Sequence, residues 1–302
     1  MSPAAPSWRD VDAAAREREY SPSSCIGGNY QPFIDAYVQR SAAARARLAG
    51  RLDLNYGASA AQRLDLFVPA GAAASDGSVA AAGSAAVGGL PPLLVFIHGG
   101  YWQELSKNES SFAAVDCVKQ GIAFAALDYT LAPAASVHEI VGECRQALRW
   151  LRQHAAELGF DGERIAVAGS SAGAHLAAMC AVRGEDGGAV KAAILVSGIY
   201  EVEPLVGTSI NAALGLDAAA ARLVSPALAD LSGFPPAVVC WGAVETDEFK
   251  RQGRDFAAQL QRADTRCQVF EVPARNHFDV ILDLADPTTL LGAAAGALIR
   301  SL

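Results

Sequence analysis

The chain has 302 residues, 52% of them apolar, and a formal net charge of −8 with a pI near 5.2. That acidity argues against nucleic acid as a partner, because a phosphate backbone needs a basic face. The apolar share is ample for one large core in a single α/β domain over 1–302.

Taken in order, MSPAAPSWRDVDAAAREREY lacks the basic-then-apolar layout of a secretion signal. No charge-free apolar run reaches the ~18 residues of a membrane span. A cytoplasmic protein with no membrane partner is therefore expected. YSPSSCIGGNYQPFIDAYVQRSAAARARL reads as a loop and helix lying over a sheet. Strands are expected at 64–69, 92–98, 122–129, 164–169, 192–198, 236–242 and 267–273. Several are apolar throughout, as parallel strands buried on both faces should be.

Between these runs lie helical patterns, such as VHEIVGECRQALRWLRQHAAEL with apolar residues at three- and four-residue spacing. Alternation of strand and helix implies a mostly parallel central sheet with helices on both faces. The first strands should form an antiparallel edge, because no helix separates 64–69 from the strand that follows. The Ala/Gly/Ser segment 70–92 has nothing large to bury and reads as a flexible surface loop. Segment 199–235 is too long for a plain connection and reads as a cap, with Tyr200, Leu205 and Asn211 near a pocket beside Tyr101 and Trp102.

Six cysteines (25, 117, 144, 180, 240 and 267) are scattered without a CxxC pair, so neither a disulfide framework nor a zinc site is expected. The chemistry concentrates elsewhere. GSSAG (169–173) matches G-x-S-x-G with Ser171 central, between an apolar strand and the helical run AHLAAMCAV. In that context a tight strand-to-helix turn projects the serine hydroxyl, with Ser170 packed under the turn. IHGGYW (97–102) ends the strand before it, and its glycines leave backbone N–H groups open to a neighbouring site. The N–H groups of Gly100, Tyr101 and Ala172 are the expected oxyanion donors.

Of the five histidines, His98 belongs to the glycine loop, His138 and His154 to a helical pattern, and His175 to the helix after Ser171. His277, in ARNHFDV after the last strand, is left as the base. The acid should fall between serine and histidine in chain order. Glu245, at the carboxyl end of strand 236–242, is preferred, with Asp247 the alternative; Asp247 and Glu248 otherwise cap and open the next helix.

With these residues in place the chain resembles the arylformamidase (kynurenine formamidase) branch of the α/β-hydrolase superfamily over nearly its whole length. The resemblance is carried by YSPS, HGGYWQELSK (98–107), LDYTLAP (127–133), GSSAGAHLAAM (169–179), SGIYEVEPLVGTSINAALGL (197–216) and NHFDVI (276–281). The HGGxW form with Trp102 separates this branch from HGGG esterases. The resemblance implies an α/β-hydrolase fold, a Ser171–Glu245–His277 triad, no metal or organic cofactor, and hydrolysis of N-formyl-L-kynurenine to formate and kynurenine. Better-known members use aspartate where this chain has Glu245. The alternative is a carboxylesterase acting on short acyl esters. Trp102, Tyr200 and Asn211 are the expected substrate contacts. A small molecule is the expected partner, and a homodimer is one expectation for the oligomeric state.

Overall fold

A computed structural model describes residues 8–71, 89–183 and 189–302. Among the described residues eight strands are formed: β1 Gly50–Asn55, β2 Arg63–Phe67, β3 Leu93–Ile97, β4 Ala123–Leu127, β5 Ile165–Ser170, β6 Val190–Val196, β7 Ala237–Val244 and β8 Cys267–Asn276. They make one sheet in the order β1-β2-β4-β3-β5-β6-β7-β8. From β4 to β8 every pairing is parallel, while β2 runs antiparallel to both β1 and β4. All seven expected strands are present. The expected antiparallel edge is corrected in one respect: β2 does not pair with β3, which lies inside the sheet between β4 and β5. The eighth strand, β1, was unforeseen. Its sequence GRLDLN is largely exposed, as suits an edge strand with little apolar pattern.

The helices are α1 Ala13–Glu19, α2 Gln31–Arg47, α3 Ala114–Lys119, α4 Val137–Leu158, α5 Ala172–Ala181, α6 Asn211–Leu214, α7 Ala218–Leu223, α8 Asp247–Arg262 and α9 Leu290–Arg300. Alternation along β3 divides the core: Leu93, Val95 and Ile97 pack with α4, α5 and α8, whereas Leu94 and Phe96 pack with α2, α3 and α9. Helix α4 shows how sequence sets an element. Ser136 and Glu139 close a reciprocal capping box at its start, and Gly159, at φ 88°, ends it in the left-handed region. Its buried Ile140, Val141, Cys144, Leu148, Leu151 and Leu158 form one stripe against the sheet, each large side chain contributing about 2 kcal/mol by leaving water. Loss of the Ser136 cap would cost about 1 kcal/mol.

Helix α5 differs, being buried almost all round, so apart from His175, Leu176 and Met179 it is built of small residues. Residues 72–88 of the expected Ala/Gly/Ser loop lie outside the described residues. The 199–235 segment folds as short helical turns, Glu203–Gly207, α6, α7 and Pro226–Leu228. Among the described residues no helix is long and apolar enough to cross a membrane.

Candidate active site

Strand β5 stops at Ser170, and Ser171 turns the chain at φ 58°, ψ −124° before α5 begins at Ala172. A non-glycine residue held there costs about 1–3 kcal/mol, which the surroundings must offset. Two glycines make the turn feasible. A Cβ on Gly169 would lie 2.2 Å from the Gly173 carbonyl carbon, and one on Gly173 would lie 2.0 Å from the Ile97 carbonyl oxygen. The Ser171 N–H donates to Val196 O at 2.9 Å, and its own carbonyl accepts from Ala174 and His175 N–H. Both backbone groups of Ser171 are thereby occupied, and the residue lines a cavity. Ser170 is not wholly packed beneath the turn as expected; it lines the same cavity.

Beside this turn the chain leaving β3 passes through Gly100 (φ 89°), Tyr101 (φ 48°) and Trp102 (φ 61°). A Cβ on Gly99 would lie 2.7 Å from Ser170 O, so glycine permits the loop to approach the serine turn. The N–H groups of Gly100, Tyr101 and Ala172 make no hydrogen bond among the described residues. His98 steadies the loop. Its ring stacks on Tyr129 at 4.2 Å, its Nδ1 lies 3.0 Å from Gly99 O, and the Tyr129 hydroxyl donates to His98 O.

His277 follows β8 in a loop fixed by Asn276, whose Oδ1 accepts from Phe278 and Asp279 N–H. The ring is 4% exposed and packs edge-on against Phe249 at 4.4 Å. Its Nδ1 meets Glu245 Oε2 at 2.8 Å. The other carboxylate oxygen, Oε1, accepts from Gly242 N–H and from the Ser197 hydroxyl, both at 2.6 Å. A register shift in the β7–β8 pairing between Gly242 and Val244 accompanies this placement, and a Cβ on Gly242 would lie 2.4 Å from Arg275 O. Asp247 is exposed in the first turn of α8, and the residue at the helix cap is Thr246 rather than Asp247. Ser197, at φ 51°, was not singled out in the sequence, since nothing local marks a serine whose backbone turns left-handed.

Ser171, His277, Gly100 and Tyr101 border a cavity of about 390 Å³, a size suited to a small organic ligand. The expected contacts Trp102, Tyr200 and Asn211 do not line it. Trp102 is fully buried and its Nε1–H donates to His175 Nδ1 at 3.2 Å. Tyr200 stacks on Phe256 at 4.2 Å. The Asn211 amide is spent on its own turn, donating to Val206 O and Leu216 O and accepting from Leu216 N–H. Leu205 is likewise buried away from the cavity. The 199–235 segment instead offers Ser209 and Ile210.

His175 packs rather than reacts. Its Nε2–H donates to Val224 O at 2.6 Å, and burial pulls its pKa down to about 4. The largest surprise is the roof: Glu17, Tyr20, Ser21, Tyr30, Ile34 and Tyr37 all face the cavity. The sequence pattern places a loop and helix from this stretch over the sheet without assigning it to the site. Tyr20 joins three elements. Its hydroxyl donates to Glu248 Oε2 at 2.8 Å and accepts from Gln252 Nε2 at 2.8 Å, while its carbonyl accepts the Tyr101 hydroxyl.

Residues 94–280 match the family model described as alpha/beta hydrolase fold. The chain is 29% identical over 298 residues to a kynurenine formamidase of Danio rerio, covering 94% of this chain and 95% of that protein. It is 30% identical over 234 residues to the carboxylesterase NlhH of Mycobacterium tuberculosis, covering 68% of this chain and 72% of that one. Among solved structures, a thermophilic carboxylesterase cloned from a metagenomic library superposes with a TM-score of 0.68 at 26% identity, covering 91% of this chain and 98% of that chain.

Proposed function

The chain belongs to the alpha/beta hydrolase fold family, and from that premise we propose that it is a serine hydrolase that cleaves an N-formyl aryl amide, such as N-formyl-L-kynurenine, to formate and the free amine. The observation that carries this reading is the buried carboxylate–imidazole pair, Glu245 to His277 Nδ1 at 2.8 Å, bordering the cavity that also holds the strained Ser171. Bonding at Nδ1 leaves Nε2 as the basic nitrogen. His277 takes the Ser171 proton as the hydroxyl oxygen attacks the formyl carbon. The resulting oxyanion is met by the unengaged N–H groups of Gly100, Tyr101 and Ala172, each such donor contributing roughly 3–4 kcal/mol. Protonated His277 then gives its proton to the departing aryl amine, and a water activated by the same ring releases formate from the formyl-serine. Glu245 holds the imidazole tautomer and stabilises its charged form.

Similarity to a kynurenine formamidase over 94% of the chain supports the formamide as the scissile bond. Similarity to carboxylesterases supports a second reading, in which short acyl esters are the better substrates. Release of formate from N-formylkynurenine, measured beside hydrolysis of a p-nitrophenyl ester, separates the two. A formamide kcat/KM at or above the ester's sustains the first; ester turnover without formate release sustains the second. A fluorophosphonate probe should modify Ser171 alone, and modification elsewhere would sink both.

A further inference from the structure

The cavity is lopsided in charge. Glu17, Glu104 and Glu109 line it, and no lysine or arginine does. The segments outside the described residues (1–7, 72–88 and 184–188) contain no lysine or arginine either. None of the three carboxylates has an ion-pair partner among the described residues. Glu17 accepts from Ser209 N–H at 2.8 Å and from the Ser209 hydroxyl, and Glu109 accepts from the Ser106 hydroxyl at 2.7 Å. Lys107, between Glu104 and Glu109 in sequence, is committed to Asp53 at 2.7 Å and Asp65 at 3.1 Å, and Arg16 beside Glu17 donates to the Val11 carbonyl at 3.2 Å.

Seven of the described tyrosine and phenylalanine residues also line the cavity. Tyr30 stacks on Phe278 at 5.3 Å, Tyr37 stacks on Phe112 at 5.4 Å, and Phe96 meets Phe112 edge-on. Ring faces and carboxylates both attract a cation, and a cleft lined by one sign of charge concentrates the opposite sign.

We propose that this cavity favours substrates whose tail carries an ammonium group and disfavours a carboxylate on that tail. The proposal rests on the hydrolase reading above and deepens it. N-formylkynurenine carries both groups on one carbon. Its ammonium would find carboxylates and ring faces, whereas its carboxylate would meet no lysine or arginine among the described lining residues and would lie among like charges. The zwitterion is therefore a compromised substrate, and the same aryl formamide lacking the carboxylate is the better one.

The test uses the full-length protein and three N-formyl aryl ketones that differ only in the tail: the zwitterion, the amine without carboxylate, and the acid without amine. Appearance of the free aryl amine gives kcat/KM. The expected order is amine, zwitterion, acid, with roughly tenfold or more between the first and last at low salt, shrinking as salt is added. In the double variant Glu104→Gln/Glu109→Gln the amine-to-acid ratio should contract. An acid turned over as well as the amine overturns the proposal while leaving formamide hydrolysis intact. So does a ratio indifferent to both salt and the double variant. If no formamide is cleaved, the formamide reading fails, and the same three tails on aryl acetate esters decide the selectivity: the same order upholds it and a flat response overturns it.

Discussion

Ser170 and Ser171 border the same cavity, yet only Ser171 sits at the strained turn ahead of α5, so their substitutions should diverge. Ser171→Ala should lower kcat by about a million-fold with folding retained, while Ser170→Ala keeps most activity; steady-state kinetics on both, with circular dichroism, checks this. Glu245 gives a sharper case. Its Oε1 accepts two hydrogen bonds and its Oε2 faces the imidazole. A glutamine at 245 must keep its oxygen on the Ser197 and Gly242 donors, which turns its NH₂ toward His277 Nδ1 and enforces the wrong tautomer. Glu245→Gln should cut turnover by up to about ten-thousand-fold. Asp247→Asn, outside this network and not the helix cap, should leave kinetics unchanged and cost under about 1 kcal/mol. A large kinetic defect at Asp247 instead would remove Glu245 from its role.

His175 sets a pH dependence of stability. Its folded pKa of about 4 lies below the ordinary 6.5 because burial disfavours the charged ring. Between those values the unfolded chain binds more protons, so stability falls as pH drops from 6.5 toward 4, by about 3 kcal/mol in total. Urea midpoints across that window should show this slope, and His175→Gln should flatten it.

At the scale of elements, the crossing of β3, β5 and α5 depends on absent side chains. Gly173→Ala would drive a Cβ to 2.0 Å from Ile97 O, a backbone atom that cannot swing aside. About 1–3 kcal/mol of stability should be lost, together with activity, because the displaced turn carries Ser171. Thermal melts and kcat on the same preparation test the coupling. These elements were legible in the sequence because G-x-S-x-G and HGG are local strings set between apolar runs. Strand β1 was not, since its residues are mostly polar and only its pairing with β2 defines it. The cavity wall was misjudged for a related reason. Trp102, Tyr200 and Asn211 stood in the right segments, but partners remote in sequence, His175 for Trp102 and Phe256 for Tyr200, claimed two of those side chains.

Across the whole molecule, the site is assembled from both ends of the chain. Glu17 and Tyr20 from the start and His277 and Phe278 from near the end face one cavity, a meeting that no local spacing announces. Tyr20→Phe should test how firmly the roof is held. The buried phenol is kept protonated by burial and by Glu248, and removing it leaves Glu248 and Gln252 each short of a partner. A loss of about 1–3 kcal/mol is expected, read by denaturant titration, with a rise in KM as the roof loosens.

The attachment of the Tyr101 hydroxyl to the Tyr20 carbonyl has a kinetic corollary. Any displacement of the roof would strip that hydroxyl from its acceptor and loosen the loop bearing the Gly100 and Tyr101 N–H groups. The observed rate would then carry the fraction of time that the roof stays seated on this loop, even though Tyr20 itself takes no part in the chemistry.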